Sequence, residues 1–277
     1  MPSIIYLLDL IQVNRMTSAI PRSPSKFNLS AYLISDGPAG FLLSWVAGFV
    51  DTSAFIILFG LFTAHVTGNI ALAGSSFVSD DAETTITRLL MLPTFIVTVA
   101  LTSLLARFSR RQQWCVFGVL LTAEAIALAV FLSLGTSLCP ALILDVQEDL
   151  ILPIGISGVI AMAIQNALMK EAKGVFKSYI PTTVMTGNTT QLTIDVVQLC
   201  IAKLSKVQDE TTKKEAEESL ERIGRFVPTI VGFALGGLLA ACFVLVSESW
   251  WSLSIPLVVI SILAIAAYVE HGRKLAS

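Results

Sequence analysis

The chain has 277 residues, 55% of them hydrophobic and only 14% charged, with a mean hydropathy of +0.79. A soluble domain hydrates its surface with about a quarter of its residues charged, so the composition describes a membrane protein. A net charge of −2 leaves no basic field for a nucleic acid, while two histidines and four scattered cysteines provide neither a multi-histidine metal site nor a disulfide framework.

Along the chain, residues 1–36 form an N-terminal cytoplasmic segment. Its apolar run at 4–11 is too short to span and lacks the basic start of a signal peptide. Six stretches reach the ~20 apolar residues that a crossing needs: 38–63, 88–106, 114–134, 150–169, 226–247 and 251–269. Two further stretches, 64–78 and 178–202, are semi-polar and rich in Thr, Gly and Asn. Residues 203–225 mix Lys with Glu and read as a solvated helical linker with i,i+4 pairs. Cys115, Cys139, Cys200 and Cys242 read as small core hydrophobes.

Charge placement decides whether the semi-polar stretches cross, because Lys and Arg between spans collect on the cytoplasmic side. If neither crosses, every basic residue except Arg88 lies on one side, and Asp80, Asp81, Glu83, Asp145, Glu148, Asp149 and Glu248 lie on the other. This predicts an all-α protein of six transmembrane helices with both termini cytoplasmic.

Each semi-polar stretch contains Thr-Gly-Asn, at Thr67, Gly68 and Asn69 and at Thr186, Gly187 and Asn188. Pro93-Thr94 and Pro228-Thr229 then open the next spans, followed by ALTSLLA (residues 100–106) and ALGGLLA (residues 234–240), and Trp114 and Trp250 begin the spans after those. Two units, 37–135 and 149–270, thus repeat the order span, TGN stretch, span, span. Three crossings per unit invert the second copy relative to the first, a recurrent transporter design. The TGN stretches are expected as re-entrant breaks, with glycine supplying a left-handed turn and Thr and Asn supplying ligands. An ordinary surface loop is the alternative.

Polar residues within spans mark candidate sites, since an ionisable group in mid-bilayer is costly and faces a cavity or a partner. Asp51 lies mid-span, and its repeat counterpart is the amide pair Gln165 and Asn166. Glu124 lies at the centre of the third span opposite an apolar counterpart, either as a coupling residue or as a packing acid kept protonated by burial. Asp195 reads as a solvated acid near the interface, and His65 as an interfacial polar residue. Gly232, Gly236 and Gly237, like Gly155 and Gly158, allow close helix approach.

Four segments carry a family resemblance: AGFVDTSAF (residues 47–55), FTAHVTGN (residues 62–69), AIQNALM (residues 163–169) and TTVMTGN (residues 182–188). On these the chain resembles the YoaK-like family of bacterial six-span membrane proteins, over about residues 40–268. The family's usual glycine before the Gln-Asn pair is missing. The resemblance implies a relationship without an activity.

The expected function is a secondary transporter or permease for a small polar or ionic solute, proton- or cation-coupled. In it Asp51, Thr67, Gly68, Asn69, Gln165, Asn166, Thr186, Gly187 and Asn188 bind the substrate, and Glu124 is a coupling candidate. The alternatives are a small ion channel and a non-transporting membrane-embedded regulatory or binding subunit. No nucleophile–base pair, phosphate loop or metal constellation points to an enzyme, and no cofactor is implied. The expected partners are the lipid bilayer and an unidentified small solute, not nucleic acid, with self-association left open.

Overall fold

A computed structural model of the chain describes residues 28–79, 81–139, 148–172, 181–204, 210–247 and 249–276. Among them run α1 (Leu29–Leu33), α2 (Asp36–Ile57), α3 (Val66–Val78), α4 (Ala82–Arg111), α5 (Val116–Leu138), α6 (Glu148–Glu171), α7 (Met185–Leu204), α8 (Glu210–Ser247) and α9 (Ser254–Ala276). A 3-10 turn at Trp250–Leu253 precedes the last helix, and the described residues contain no strand. α2, α4, α5, α6, α8 and α9 are long and apolar enough to cross a membrane, which makes the chain a multi-pass membrane protein. With 13 residues α3 is too short, and α7 carries Thr, Gln and Asp along its length.

Helix direction follows from which residues meet. Gly232 packs on Phe41 and Gly236 on Trp45, so α8 runs parallel to α2. Gly155 lies beside Met91, and Glu171 bonds to Ser103 and Arg110, so α6 runs parallel to α4. Gly118 meets Tyr268 and Gly135 meets Trp250, so α5 and α9 are antiparallel. With short connections reversing the chain after α4 and after α8, α2, α5 and α8 point one way and α4, α6 and α9 the other. Both α3 and α7 therefore return the chain to the end it left.

The spans differ in depth. In α2 and α6, 67% and 61% of the most apolar stretch is buried, against 22% and 28% in α4 and α8. The first span of each proposed unit is thus central and the second peripheral. α2 and α8 meet backbone to backbone: a Cβ at Gly48 would overlap the carbonyl oxygen of Phe233, and one at Gly232 or Gly236 would overlap that of Phe41 or Trp45. Small residues permit this close approach, as expected for helices packing in lipid. Gly155 and Gly158 act differently, making room for the side chains of Leu61 and Thr63, which follow α2 in the chain.

Several boundaries need correction. The first span ends at Ile57, not at 63, because Phe59 (φ 50°) and Gly60 (φ 82°) turn left-handed and Gly60 N donates to Phe55 O at 2.8 Å. The apolar run continues through Leu61 and Phe62 outside the helix, a change that hydropathy alone does not register. Within the helical linker expected at 203–225, residues 210–225 are helical and continuous with the following span, since α8 runs unbroken for 38 residues, and they carry the expected i,i+4 pairs, Arg222–Glu218 and Arg225–Glu221. Of the N-terminal segment, residues 1–27 lie outside the described residues, while α1 docks on α9 through Asn28 Nδ2 to Glu270 (3.1 Å) and Arg273 to Ser30 (2.9 Å). Cys200 and Cys242 are exposed on outward faces, so only Cys139 is a fully buried thiol. The acids expected at 80, 145 and 248, and the basic residues at 173, 177 and 206, lie outside the described residues.

Candidate functional site

Residues 58–65 form a non-helical strap between α2 and α3, held from below by Asp51. A strap exposes backbone N–H groups that no helix satisfies, and buried donors need partners. Asp51 Oδ1 accepts from Ala64 N (2.6 Å), Thr63 N (2.8 Å) and Thr63 Oγ1 (3.2 Å). Its other oxygen, Oδ2, lies 2.5 Å from His65 Nδ1. Two acceptors cannot stand so close without a hydrogen between them, so the pair shares a proton, assigned to Nδ1. Asp51 is 3% exposed and the His65 side chain 33% exposed, so the buried carboxylate reaches the surface through the imidazole.

Asn69 closes the strap. Its Nδ2 donates to Phe62 O at 2.8 Å, and its Oδ1 accepts from Phe62 N at 2.9 Å. This side-chain clasp imitates a pair of ladder bonds. Residues 181–184, non-helical before α7, form a second strap closed in a similar way, with Asn188 Nδ2 donating to Pro181 O at 2.6 Å, again seven residues earlier. Beneath that second strap the amide pair takes the place of Asp51: Asn166 Oδ1 accepts from Thr183 Oγ1 (2.5 Å), and Gln165 Nε2 donates to Leu43 O (2.7 Å) and Thr182 Oγ1 (3.0 Å).

An arginine from the following span then pins α3 and α7. Arg88 of α4 donates to Ser76 Oγ, to Leu72 O (3.1 Å) and to Phe59 O (3.3 Å). Arg222 of α8 pairs with Asp195 (2.9 Å) and reaches Ser219 (3.2 Å). Superposing ALTSLLA on ALGGLLA sets Arg88 opposite Arg222, and superposing the two TGN motifs sets Ser76 opposite Asp195. The two arginine contacts are therefore equivalent under the repeat, whereas charge placement alone leaves Arg88 as an outlier. Asp195 is corrected accordingly: it is fully buried and ion-paired, not a solvated acid.

Asp51, Thr67 and Gly68 come together in a groove of about 440 Å³, bounded also by His65, Thr52, Phe55, Phe62 and Phe233 of α8. The His65 ring stands edge-on between Phe62 and Phe233, each with its centroid 5.6 Å away. The remaining expected site residues do not join this groove. Asn69, Asn188 and Gln165 are buried and committed to the straps, and Asn166 holds Thr183. Thr186 faces a separate open groove with Met185, Thr189, Thr190, Thr193 and Ile194, and Gly187 is exposed. Glu124 lies inside the bundle, away from both grooves.

The TGN motifs themselves need a correction. Each stands in the first turn of a helix, not in the non-helical strap, and neither glycine takes a left-handed backbone. Gly68 is small because a Cβ would press on the Phe62 ring at 3.1 Å, while a Cβ at Gly187 would meet nothing. The asparagines face back along the chain as clasps and not outward as ligands. His65, expected as an interfacial residue, instead shares its proton with Asp51; their separation in sequence carries no helical or motif signal.

A family model described as a protein of unknown function, DUF1275, matches residues 39–266. The chain belongs to this family. The YoaK-like proteins are among its members, and the match runs from α2 into α9, taking in both straps, both clasps and both arginines while leaving α1 outside. No curated protein and no solved structure matches the chain. The family description names no activity, so the functional reading rests on geometry.

Proposed function

We propose that this DUF1275 member is a secondary transporter or permease for a small polar or ionic solute, residing in a bacterial inner membrane with both termini cytoplasmic, and not an enzyme. The observation that carries the reading is the Asp51–His65 pair: a buried carboxylate joined at 2.5 Å to a part-exposed imidazole on the wall of a solute-sized groove. An intramembrane acid with such an outlet is the usual mark of an ion or proton path. Solute entering the groove competes for the shared proton, which couples binding to proton release.

Helix packing supports alternating access. The first span of each unit lies parallel against the second span of the other unit, and α2 and α6 run in opposite directions, as an inverted repeat requires. In this reading the two units rock against each other, and each strap travels with the span beneath it. The test is solute-dependent alkalinisation of acid-loaded proteoliposomes across a panel of amino acids, amines and inorganic ions. Asp51→Asn keeps an acceptor for the strap N–H groups but removes the carboxylate. The variant is expected to fold and to lose the solute-driven proton flux, and unimpaired flux in it would remove Asp51 from the mechanism.

A further inference from the structure

A second cluster of polar atoms lies inside the bundle, apart from the Asp51 groove. Glu124 of α5 is fully buried, and among the described residues neither of its oxygens has a hydrogen-bond partner. The same holds for Gln165 Oε1 on α6 and Ser44 Oγ on α2, both on fully buried side chains. Buried polar atoms in folded proteins are nearly always satisfied, and an exception calls for an explanation such as a bound water or ion.

Helix register brings Glu124 and Gln165 to one level of the bundle, and Gln165 touches α2 at Leu43, the residue before Ser44. Phe131 of α5 lies against Gly158 of α6, and the two helices are antiparallel. Two turns back along α5 is Glu124, and two turns on along α6 is Gln165. Gln165 Nε2 is held by Leu43 O and Thr182 Oγ1, which fixes the amide with Oε1 free of both. Ser44 directly follows Leu43. The rest of α5 carries no charged residue, nor do residues 150–169 of α6, 254–269 of α9 or 89–106 of α4. Asp51, two turns along α2 from Ser44, is already occupied by its strap and His65.

The donor set is oxygen only: a carboxylate, an amide carbonyl and a hydroxyl. An ionised carboxylate in such a place needs a countercharge. A proton supplies one, but the O–H it forms still requires an acceptor, and no hydrogen bond joins Glu124 to Gln165. A cation neutralises the acid and takes several oxygens at once. One carboxylate balances one positive charge, so a divalent ion would leave an uncompensated charge in a dry core, and oxygen donors without nitrogen or sulfur do not favour transition metals.

We propose that Glu124, Gln165 Oε1 and Ser44 Oγ bind a single dehydrated alkali-metal cation. The ligating amide also holds Thr182 at the second strap, so occupancy of the site reaches the α7 arm through one side chain. This goes beyond the transport reading and does not depend on it, because binding is measured at equilibrium without flux.

The test is thermal unfolding of the purified full chain in detergent, in NaCl, LiCl, KCl or choline chloride at constant ionic strength and pH. A ligand that binds only the folded state raises the midpoint with its concentration. The expected result is a rise with the logarithm of one alkali cation's concentration and none with choline. Glu124→Gln removes the rise while unfolding no earlier than the wild type does in choline, and Ser44→Ala shifts the half-saturating concentration by about tenfold. The wild type supplies an independent measurement: carbodiimide labelling of Glu124, mapped by peptide mass spectrometry, slows in the binding cation and not in choline. Equal midpoints in all salts, an alkali-specific rise that survives in Glu124→Gln, or labelling that responds to pH alone would each overturn the cation site.

Discussion

The two straps are built alike but carry their one acid at different places. In the first unit the carboxylate, Asp51, sits on the central span under the strap, and the arginine at the far end of the arm meets a serine hydroxyl. In the second unit the central span offers only amides, Gln165 and Asn166, and the carboxylate, Asp195, waits at the arm to pair with the arginine. What the units share, a polar anchor under the strap, an asparagine clasp and an arginine pin, is what the architecture requires. They differ at the end of the strap: only the first ends in a histidine, which joins its buried acid to a groove.

The comparison breaks most visibly at the arginines. Arg222→Leu strands the fully buried Asp195 carboxylate, leaving it only the amide of Gln191 at 3.1 Å. Removing one partner of a buried ion pair costs about 3 kcal/mol or more. Arg88→Leu removes the arginine's bonds to Ser76 Oγ, Leu72 O and Phe59 O but strands less, because Ser76 Oγ still donates to Leu72 O at 3.0 Å, a loss of about 1 kcal/mol. Equilibrium unfolding in mixed micelles is expected to rank the two variants in that order. Equal losses would mean that the Asp195 pair adds nothing to the plain hydrogen bonds of its counterpart.

A smaller effect separates the two parallel helix contacts. In α8, Gly236 lets the α2 backbone approach until no Cβ would fit. The aligned position in α4 is Thr102, buried, with its hydroxyl returned to Thr98 O of its own helix at 2.7 Å. Gly236→Ala forces the α2 and α8 backbones apart, and overpacking of this kind costs about 1–3 kcal/mol. Thr102→Ala loses only a local bond and a methyl group, about 1 kcal/mol or less. The same unfolding assay measures both, and a tolerated Gly236→Ala would show that the α2–α8 contact can relax.

Composition and charge suffice to read six apolar helices and the uncrossed arms, because lipid forces long apolar runs and leaves charge at the ends. Asp51 is legible for the same reason, as a carboxylate standing alone in an apolar helix. The end of the first span at Ile57 is not, since the strap stays as apolar as the helix before it and only backbone dihedrals distinguish them. Asp195 looks solvated because the semi-polar stretch that holds it reads as lying near the cytoplasmic interface, whereas its partner Arg222 belongs to the next helix. The TGN motifs are visible as a repeat, but their role as clasps is not. Gly and Asn are turn residues in isolation, and nothing local shows that the asparagine reaches back to Phe62 or Pro181.

The clasps give the finest distinction. Asn69 makes two bonds to Phe62, one to its carbonyl and one from its N–H, whereas Asn188 makes a single backbone bond because Pro181 has no N–H to donate. Asn69→Ala therefore leaves a carbonyl and an N–H of Phe62 without their partner, and Asn188→Ala leaves one carbonyl. Each lost bond is worth about 1 kcal/mol, so the first variant is expected to unfold more easily by about that margin. Pro181→Ala restores an N–H at the second strap facing the Asn188 amide, whose oxygen can then accept it. Stabilisation by this substitution would complete the second clasp in the form of the first, and no change would mean that the second strap holds its asparagine in an orientation the new N–H cannot reach.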